Sequence, residues 1–551
     1  MFAGFASIEL FSLALVVAFL NAFLLCIVAY KPVHVFQLGG YRLRPYISWL
    51  ANMRIAFYVR LFVLSILSFG SMFIFNVVFD RWSNIAWVSY LGLLFYFFLV
   101  VVFCLNIKRK KEKVKLRFTP RIIRLFIALY IVFFGMTYLA LWVGSTPIGG
   151  FVQFSFIALI PLFVPPFVST VNYVLWPIEE IIRQYYLCRA RKKLFSQEYN
   201  NVIRIGITGS YAKTSCKNML GDILSKKYKV AKSPSSYNTP MGFALTVNKV
   251  LEPGHEIVIF EMGLRYKNNI RQLAKLFKPQ HGILTAIGSQ HIETMKTIDA
   301  IMAEKSELVR ALPSDGIAVL NGQSEGCIKI YDELSLENKF LTNIKDNKET
   351  KSKYYASNIS VTSDGCEFDA SFDGQVVRMK TALLGRHNVE NIMMCATLAF
   401  KLGVSIDQIK EAVAELKPTP HRLELIKGPS GVIVLDDSYN ASEQGTRAAL
   451  DVLSLFDGRK VVQTPGIVEQ GKQQGKVNFK YGRALASIVD DVIIVNEVNR
   501  EAIVEGLKSK DFPIEKIHLA SDLEGAKTYY SKLLSKGDVL LIANDLPDNF
   551  L

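Results

Sequence analysis

The chain has 551 residues, 51% of them hydrophobic, and a formal net charge of +16. An apolar content this high excludes an ordinary soluble enzyme, and it is concentrated in the first third, while the remainder has the mixed composition of a soluble α/β protein. Much of the positive charge sits beside apolar runs, in Lys108-Arg109-Lys110-Lys111 and Arg189-Ala190-Arg191-Lys192-Lys193, a placement that fits anionic lipid headgroups and cytoplasmic orientation better than nucleic acid.

Five stretches are long enough to cross a hydrocarbon core of about 30 Å: Ile8–Tyr30, Ile55–Phe79, Ile85–Leu105, Ile122–Val143 and Phe151–Trp176. The first lacks the basic start and small-residue cleavage site of a signal peptide. The loop Lys31–Arg54 carries Lys31, Arg42, Arg44 and Arg54 without an acid, whereas the turns near Asp80–Ser83 and Gly144–Gly149 are nearly uncharged. The positive-inside rule then puts the N-terminus outside and everything after Trp176 in the cytoplasm. Residues 1–177 are expected to form an α-helical transmembrane domain in a bacterial-type inner (cytoplasmic) membrane. Arg60 reads as a snorkelling side chain or a contact to a lipid phosphate. Pro161, Pro165 and Pro166 predict a break or kink in the fifth span. Residues 178–200 form an amphipathic basic linker, lying on the inner leaflet or simply connecting. The cysteines, Cys26, Cys104, Cys188, Cys216, Cys327, Cys366 and Cys395, show no CxxC pairing, so neither a disulfide framework nor a zinc site is expected.

From Val202 onward, short apolar runs alternate with helical patterns, as in βαβ units around a largely parallel sheet. The predicted strands are Ile203–Thr208, Glu256–Glu261, His281–Ala286, Gly316–Asn321, Val432–Leu435, Lys460–Thr464, Asp491–Val495 and Asp538–Ile542. Alternation with Asp-Gly turns between Tyr354 and Lys380 predicts a small antiparallel insertion. A boundary near Pro418–Pro420 divides an α/β domain at 201–420 from another at 421–551.

The segment IRIGITGSYAKTSCK, Ile203 to Lys217, reads as strand, tight turn and helix. Backbone N–H groups at such a helix start face an anion, and Lys213 and Thr214 stand where an ammonium and a Mg²⁺-binding hydroxyl meet nucleotide phosphates. Ala212 occupies the position where a phosphate loop normally has Gly. On these residues alone, an ordinary β-turn-α junction fits as well as nucleotide binding. Glu261, His291, Asp436 and Asp437 are polar residues at or after strand ends, where open α/β sheets place ligands, and Lys305 lies in the helix AIMAEKSELV. Each also has a plain structural reading, as a helix cap or a solvated side chain. Together they are the parts of a Mg²⁺-nucleotide enzyme.

The series TGSYAKTS, YNTPMG, IFEMG, GSQH, AEKSELV, GRHNVEN, TPHRLE and LDDSYNAS, in this order, resembles the central and C-terminal domains of the Mur ligase family, in particular the type that adds D-alanyl-D-alanine to a muramyl peptide. The resemblance runs from about Ile203 to the end of the chain. It implies a P-loop-like ATPase domain with the small β insertion, a Rossmann-like C-terminal domain, and an ATP-dependent carboxylate–amine ligase working through an acyl phosphate. By position it implies nucleotide contacts from Gly209, Ser210, Lys213, Thr214 and Ser215, with Thr214 and Glu261 on one Mg²⁺. It further implies His291 on a second Mg²⁺, carbamylated Lys305 on that same metal, and Asn388 and Asn391 on the adenine side. Arg422 and Asp437 match the arginine and acid that reach the nucleotide when the domains close. Asn238 and Thr239 fall on the substrate side, and Ser438, Tyr439 and Asn440 where the incoming amine is received.

This sequence departs from the family at Ala212, in the loop VVQTPGIVEQG that stands where the family has a GDM-x-ELG pattern, and at its front. Membrane spans take the place of the soluble UDP-sugar-binding domain. The expected acceptor is therefore lipid-linked or membrane-proximal and belongs to the cell envelope, with an amino acid or dipeptide as the amine and membrane lipid, not nucleic acid, as partner. Alternatives are an enzyme resembling poly-γ-glutamate synthases, a catalytically weakened nucleotide-binding scaffold subunit, and spans that only anchor.

Overall fold

A computed structural model describes residues 2–52, 56–74, 88–106, 115–144, 150–345, 352–428, 430–439, 442–468 and 470–544. The chain divides into two compact units, one reaching to Ile182 and the other running from Arg183 to Leu546.

The first unit is helical: Phe2–Leu38, Leu43–Asn52, Ala56–Phe73, Val88–Asn106, Pro120–Gly144 and the start of Gly150–Leu194. Three of the described helices, within Ser12–Leu38, Pro120–Trp142 and Phe156–Leu194, are long and apolar enough to cross a membrane by length and composition. The second and third expected spans fall short of that, as the apolar helices Val59–Ser71 and Leu91–Leu105. Their outer ends, Lys108–Lys111 and residues 80–83 and 145–149 lie outside the described residues. The expected loop Lys31–Arg54 is mostly helix, because the first helix continues through Pro32 to Leu38 and Leu43–Asn52 forms another.

Of the break or kink expected in the fifth span, a break does not occur. Gly150–Leu194 is one 45-residue helix holding Pro161, Pro165, Pro166 and Pro177, and it absorbs most of the stretch expected to be a separate linker. Polar groups tie the bundle together. Asn21 Nδ2 donates to Thr137 Oγ1 at 2.9 Å, and Tyr96 OH donates to Asn21 Oδ1 at 2.8 Å, all three residues being buried. Such bonds are favoured where hydrocarbon surroundings offer no other partner. Arg124 pairs bidentately with Glu179 at 2.6 and 2.8 Å.

The second unit holds two sheets. The first has nine strands: β1 (Ile203–Thr208), β2 (Val230–Lys232), β3 (Ile257–Glu261), β4 (His281–Leu284), β5 (Ile317–Asn321), β6 (Lys339–Ile344), β7 (Tyr354–Thr362), β8 (Gly365–Phe372) and β9 (Gln375–Thr381). Their order is β2-β3-β1-β4-β5-β6-β7-β8-β9. Pairing is parallel as far as β7 and antiparallel across β7-β8-β9. The expected antiparallel strands between Tyr354 and Lys380 are present as β7, β8 and β9, and they extend the central sheet because β7 pairs with β6 through Thr342 and Tyr354.

The second sheet runs β10-β11-β15-β12-β13-β14, from β10 (Glu424–Lys427), β11 (Ile433–Asp437), β12 (Lys460–Thr464), β13 (Asp491–Val495), β14 (Ile517–Ala520) and β15 (Val539–Ala543). Strands β2, β6, β10 and β14 have no counterpart among the expected strands. They are short or carry polar residues, and sheet pairing rather than pattern makes them strands.

The site is positioned by the middle of the first sheet. β1 lies between β3 and β4, with Ile207 opposite Glu261 and Thr208 opposite Leu284, so the carboxyl ends of three strands converge. The direction of strand order reverses here, which opens a crevice beyond those ends. Behind it, the buried helix Arg386–Lys401 packs on the helix Lys213–Leu224, with Cys395 Sγ 3.3 Å from the Cys216 carbonyl.

Candidate active site

β1 ends at Thr208 and the helix Lys213–Leu224 begins four residues after Gly209, so the intervening turn presents its backbone to the crevice. Gly209 must be glycine: a Cβ there would stand 1.9 Å from Thr285 Oγ1. Thr285 in turn donates to the Tyr211 carbonyl. Ser210 Oγ accepts from Gly288 N at 2.8 Å, clamping the turn to the segment after β4. Ala212 takes the left-handed conformation, φ 61° and ψ 1°, at the helix N-cap. A Cβ in this region costs about 1–2 kcal/mol, and the methyl packs against the hydrophobic core. The departure at Ala212 thus burdens the backbone conformation of the turn.

Cationic groups crowd the turn. Lys213 Nζ donates to the carbonyls of Gly209 at 2.8 Å and Ser210 at 3.4 Å, and reaches Gln290 Oε1 at 3.5 Å. Burial pulls its ammonium down to about 8, helped by Arg422 and opposed by Glu261. Lys305 is fully buried, and its Nζ donates to the Gly209 carbonyl at 2.6 Å. Gly206 lets its helix, Ile298–Arg310, lie close on β1, since a Cβ there would come 2.6 Å from Leu308 Cδ1. Burial, then the charge of Lys213, holds the Lys305 amine well below the usual lysine range. His291 sits at the start of a short helix with φ 68°, a strained setting for a branched ring side chain. Burial and the charges of Lys305, Lys213 and Arg265 push its imidazole down to about 3, so at neutral pH it carries a free lone pair.

One carboxylate faces these groups. Glu261, buried at the end of β3, accepts from Thr214 Oγ1 at 2.9 Å and from Asn238 Nδ2 at 3.3 Å. It also lies 3.8 Å from the ammonium of Lys217, which is buried, lowered by that burial, and bonded to the Ser235 carbonyl. Lys217 was not among the expected site residues. The available signal was its position four residues after Lys213, which puts both on one helix face.

Asn238 is thus held at the site, while the hydroxyl of Thr239 caps the helix Pro240–Lys249 by accepting from Gly242 N at 3.2 Å. Ser215 is buried in the first turn of its helix. Asn388 and Asn391 lie together behind that helix, Asn388 Nδ2 on the Leu384 carbonyl at 2.8 Å and Asn391 Oδ1 3.6 Å from Cys216 Sγ.

The second sheet supplies the other wall. Arg422 lies over the Tyr439 ring at 4.3 Å, and the Tyr439 hydroxyl is 2.5 Å from Ser236 Oγ. Asp437 ends β11 and accepts from Leu423 N at 3.1 Å; burial raises its carboxyl to about 7 against the pull of Arg422. The backbone at His421 and Leu423 is left-handed, φ 63° and 49°, so Arg422 sits in a constrained turn. His421 Nδ1 contacts Asp436 Oδ2 at 2.8 Å, and Ser438 N bonds Asp436 Oδ1 at 3.1 Å. Asn440 lies outside the described residues. Gln470, in the departing loop, reaches Ser289 Oγ at 3.4 Å.

The donor set fits a nucleotide phosphate: Lys213 and Lys305 both donate to the Gly209 carbonyl, Lys217 lies beside Glu261, and the hydrogen-bond partners of Lys213 are carbonyls and a side-chain amide. Among the described residues no group of three or more His, Cys, Asp or Glu side chains converges on a metal position. Glu261, Thr214 and His291 alone bring little negative charge for a hard cation.

Comparison with known proteins bears on the same residues. Residues 207–399 match the Mur ligase middle domain and residues 421–544 the Mur ligase, glutamate ligase domain. The chain is 27% identical over 352 residues to a UDP-N-acetylmuramoyl-tripeptide–D-alanyl-D-alanine ligase of Bacillus subtilis, covering 63% of this chain and 74% of that one. For the protein of the same name from Borreliella burgdorferi, identity is 32% over 316 residues, covering 55% and 64%. Among solved structures, MurF ligase from Thermotoga maritima in complex with ADP aligns with a TM-score of 0.58 and 25% identity, covering 66% of this chain and 80% of that one. MurF from Acinetobacter baumannii aligns with a TM-score of 0.59 at 22% identity, covering 67% and 78%.

Proposed function

Since residues 207–399 and 421–544 make this chain a member of the Mur ligase family, ATP-dependent ligases that form amide bonds, we propose that it joins an amino acid or dipeptide amine to the carboxylate of a lipid-linked or membrane-proximal envelope precursor. The observation that carries the reading is the cluster of Lys213, Lys217 and Lys305 around the Gly209 turn and Glu261, in a chain with three described helices long and apolar enough to span a bilayer. ATP with Mg²⁺ supplies the phosphoryl group that turns a carboxylate, a poor electrophile, into an acyl phosphate from which the amine displaces phosphate.

The chain's own residues do the positioning and charge stabilisation. The turn amides from Gly209 onward and Lys213 receive the phosphates, and Lys213 exchanges its carbonyl partners for phosphate oxygens. Thr214 and Glu261, which are hydrogen-bonded to each other, would hold one Mg²⁺, and His291 would serve a second. Burial holds the Lys305 amine well below the usual lysine range, which favours the unprotonated form that reacts with CO₂; as a carbamate it would add the anion that the metal position lacks. Arg422 and Asp437 bring the second α/β domain to the nucleotide, while Asn238, Ser438 and Tyr439 border the space for the substrates. Asn388 and Asn391 fall to the adenine side. The catalytic unit works on the cytoplasmic face.

The test supplies the purified full chain with ATP, D-alanyl-D-alanine and a muramyl tripeptide, the last carried either on UDP or on a polyprenyl diphosphate, and identifies the amide product by mass spectrometry. Faster turnover of the lipid-linked carboxylate supports the reading. Equal or faster turnover of the UDP-linked one reduces the helical unit to an anchor.

A further inference from the structure

The opposite edge of the nine-stranded sheet, where β1, β4 and β5 begin, holds a cleft of about 740 Å³. Arg191, Arg204, Lys275 and Lys278 line it over an otherwise apolar or amide surface, and among the described residues its lining includes no acid. Arg204 is fixed in place: Nε donates to the Lys278 carbonyl at 2.9 Å, Nη1 to the Val202 carbonyl at 3.3 Å, and the guanidinium lies 5.2 Å from the Phe195 ring centroid. Lys278 Nζ lies 5.6 Å from the centroid of the same ring.

Two cations thus share one aromatic ring, and none of the four lining cations makes an ion pair among the described residues. Bringing like charges together without an anion is unfavourable, and a bound anion relieves it. Lys278 also occupies the C-cap of the helix Asn269–Phe277 with φ 48°, a left-handed position where glycine is the usual residue. Compensation of that helix's dipole accounts for Lys275 and Lys278, but not for Arg191 and Arg204, which come from another helix and from β1.

We infer that this cleft seats the phosphate head of an anionic membrane lipid. The occupant follows from charge and continuity. Arg191 belongs to the basic run Arg189–Lys193, on a helix unbroken from the apolar segment that begins at Phe156, and basic residues next to a span meet anionic headgroups. The inference rests on the membrane reading of that segment.

The full chain is reconstituted into nanodiscs of phosphatidylcholine alone, of phosphatidylcholine with phosphatidylglycerol, and of phosphatidylcholine with millimolar inorganic phosphate in the buffer. Amide hydrogen exchange is followed across residues 272–280. Exchange is expected to slow about tenfold in the anionic discs only, and the slowing should vanish in Arg204→Gln and Lys278→Gly. Lys278→Gly removes the charge while relieving the left-handed strain, so its Tm should not fall below that of the parent, which separates a lost ligand from a lost fold. Equal exchange in neutral and anionic discs, the same slowing by inorganic phosphate, or protection retained in Lys278→Gly overturns the inference. A chain that stays in solution without detergent overturns the membrane reading as well; one that inserts yet shows no lipid-dependent difference overturns this inference alone.

Discussion

The two edges of the nine-stranded sheet both gather cations and differ in what surrounds them. At the carboxyl edge, Lys217 and Lys305 are buried and Lys213 is drawn into the Gly209 turn, with Glu261 as the facing acid. At the amino edge, Arg191, Lys275 and Lys278 are exposed and Arg204 is only partly covered, with no acid in the lining among the described residues. Burial brings a lysine's protonation within reach of neutral pH, which suits bond making; exposure leaves a fixed charge, which suits holding an anion.

The largest expected effect is at the carboxyl edge. Lys213→Ala and Lys305→Ala should each lower ATP-dependent phosphate release by about a thousandfold, the loss expected when a preorganised charge is removed from a site that stabilises a transferring phosphoryl group. Robust turnover in either variant would falsify the assignment of that edge as the reaction site. If carbamylated Lys305 is the metal ligand, added bicarbonate should raise the activity of CO₂-depleted parent protein and leave Lys305→Ala unchanged.

Asp437 tests whether burial also governs the second wall. Its folded-state carboxyl, raised to about 7 from an ordinary 3.8, keeps a proton that the unfolded chain has released. The stability this provides is complete below the unfolded value and is lost as pH rises through about 7. Chemical denaturation should therefore show Asp437→Asn, which cannot ionise, gaining about 2–3 kcal/mol of stability relative to the parent between mildly acidic and mildly alkaline buffer. A difference that stays flat with pH would mean that Asp437 is already ionised in the folded protein.

The smallest effect is expected at Ala212. Ala212→Gly relieves the left-handed strain but makes the unfolded chain more flexible, for a net gain of no more than about 1 kcal/mol. Calorimetry should show a slight rise in Tm. A clear fall would mean that the contact of the methyl with the core outweighs the strain.

Much of this was legible in the residues. β1, β12 and β13 fall on the predicted ranges, because β-branched runs bounded by turn residues carry their own signal, and the Asp-Gly turns mark the antiparallel hairpins. The sheet to which those hairpins belong was not legible, since a three-residue strand such as β2 or an interleaved one such as β6 becomes a strand only when a neighbour pairs with it. The same holds at the site. Lys213, Thr214, Glu261, His291 and Lys305 stood out in the sequence as candidates, with roles implied by the family resemblance, whereas Lys217 did not, because its carboxylate and carbonyl partners come from β3 and the Ser235 turn.

By itself the sequence determined where strands, turns and apolar helices could form and which chemistry-bearing residues stood at strand ends, because periodicity and turn preferences act over a few neighbouring residues. Only the tertiary structure decided how much water each charge keeps. Two lysines on consecutive turns of one helix, Lys213 and Lys217, find different partners, and Arg204 and Lys278 both approach Phe195 in a cleft whose lining, among the described residues, includes no acid. Burial and charge pairing depend on residues far apart in the chain, which is why the site's electrostatics and the second cation cleft emerge only once the fold has brought them together.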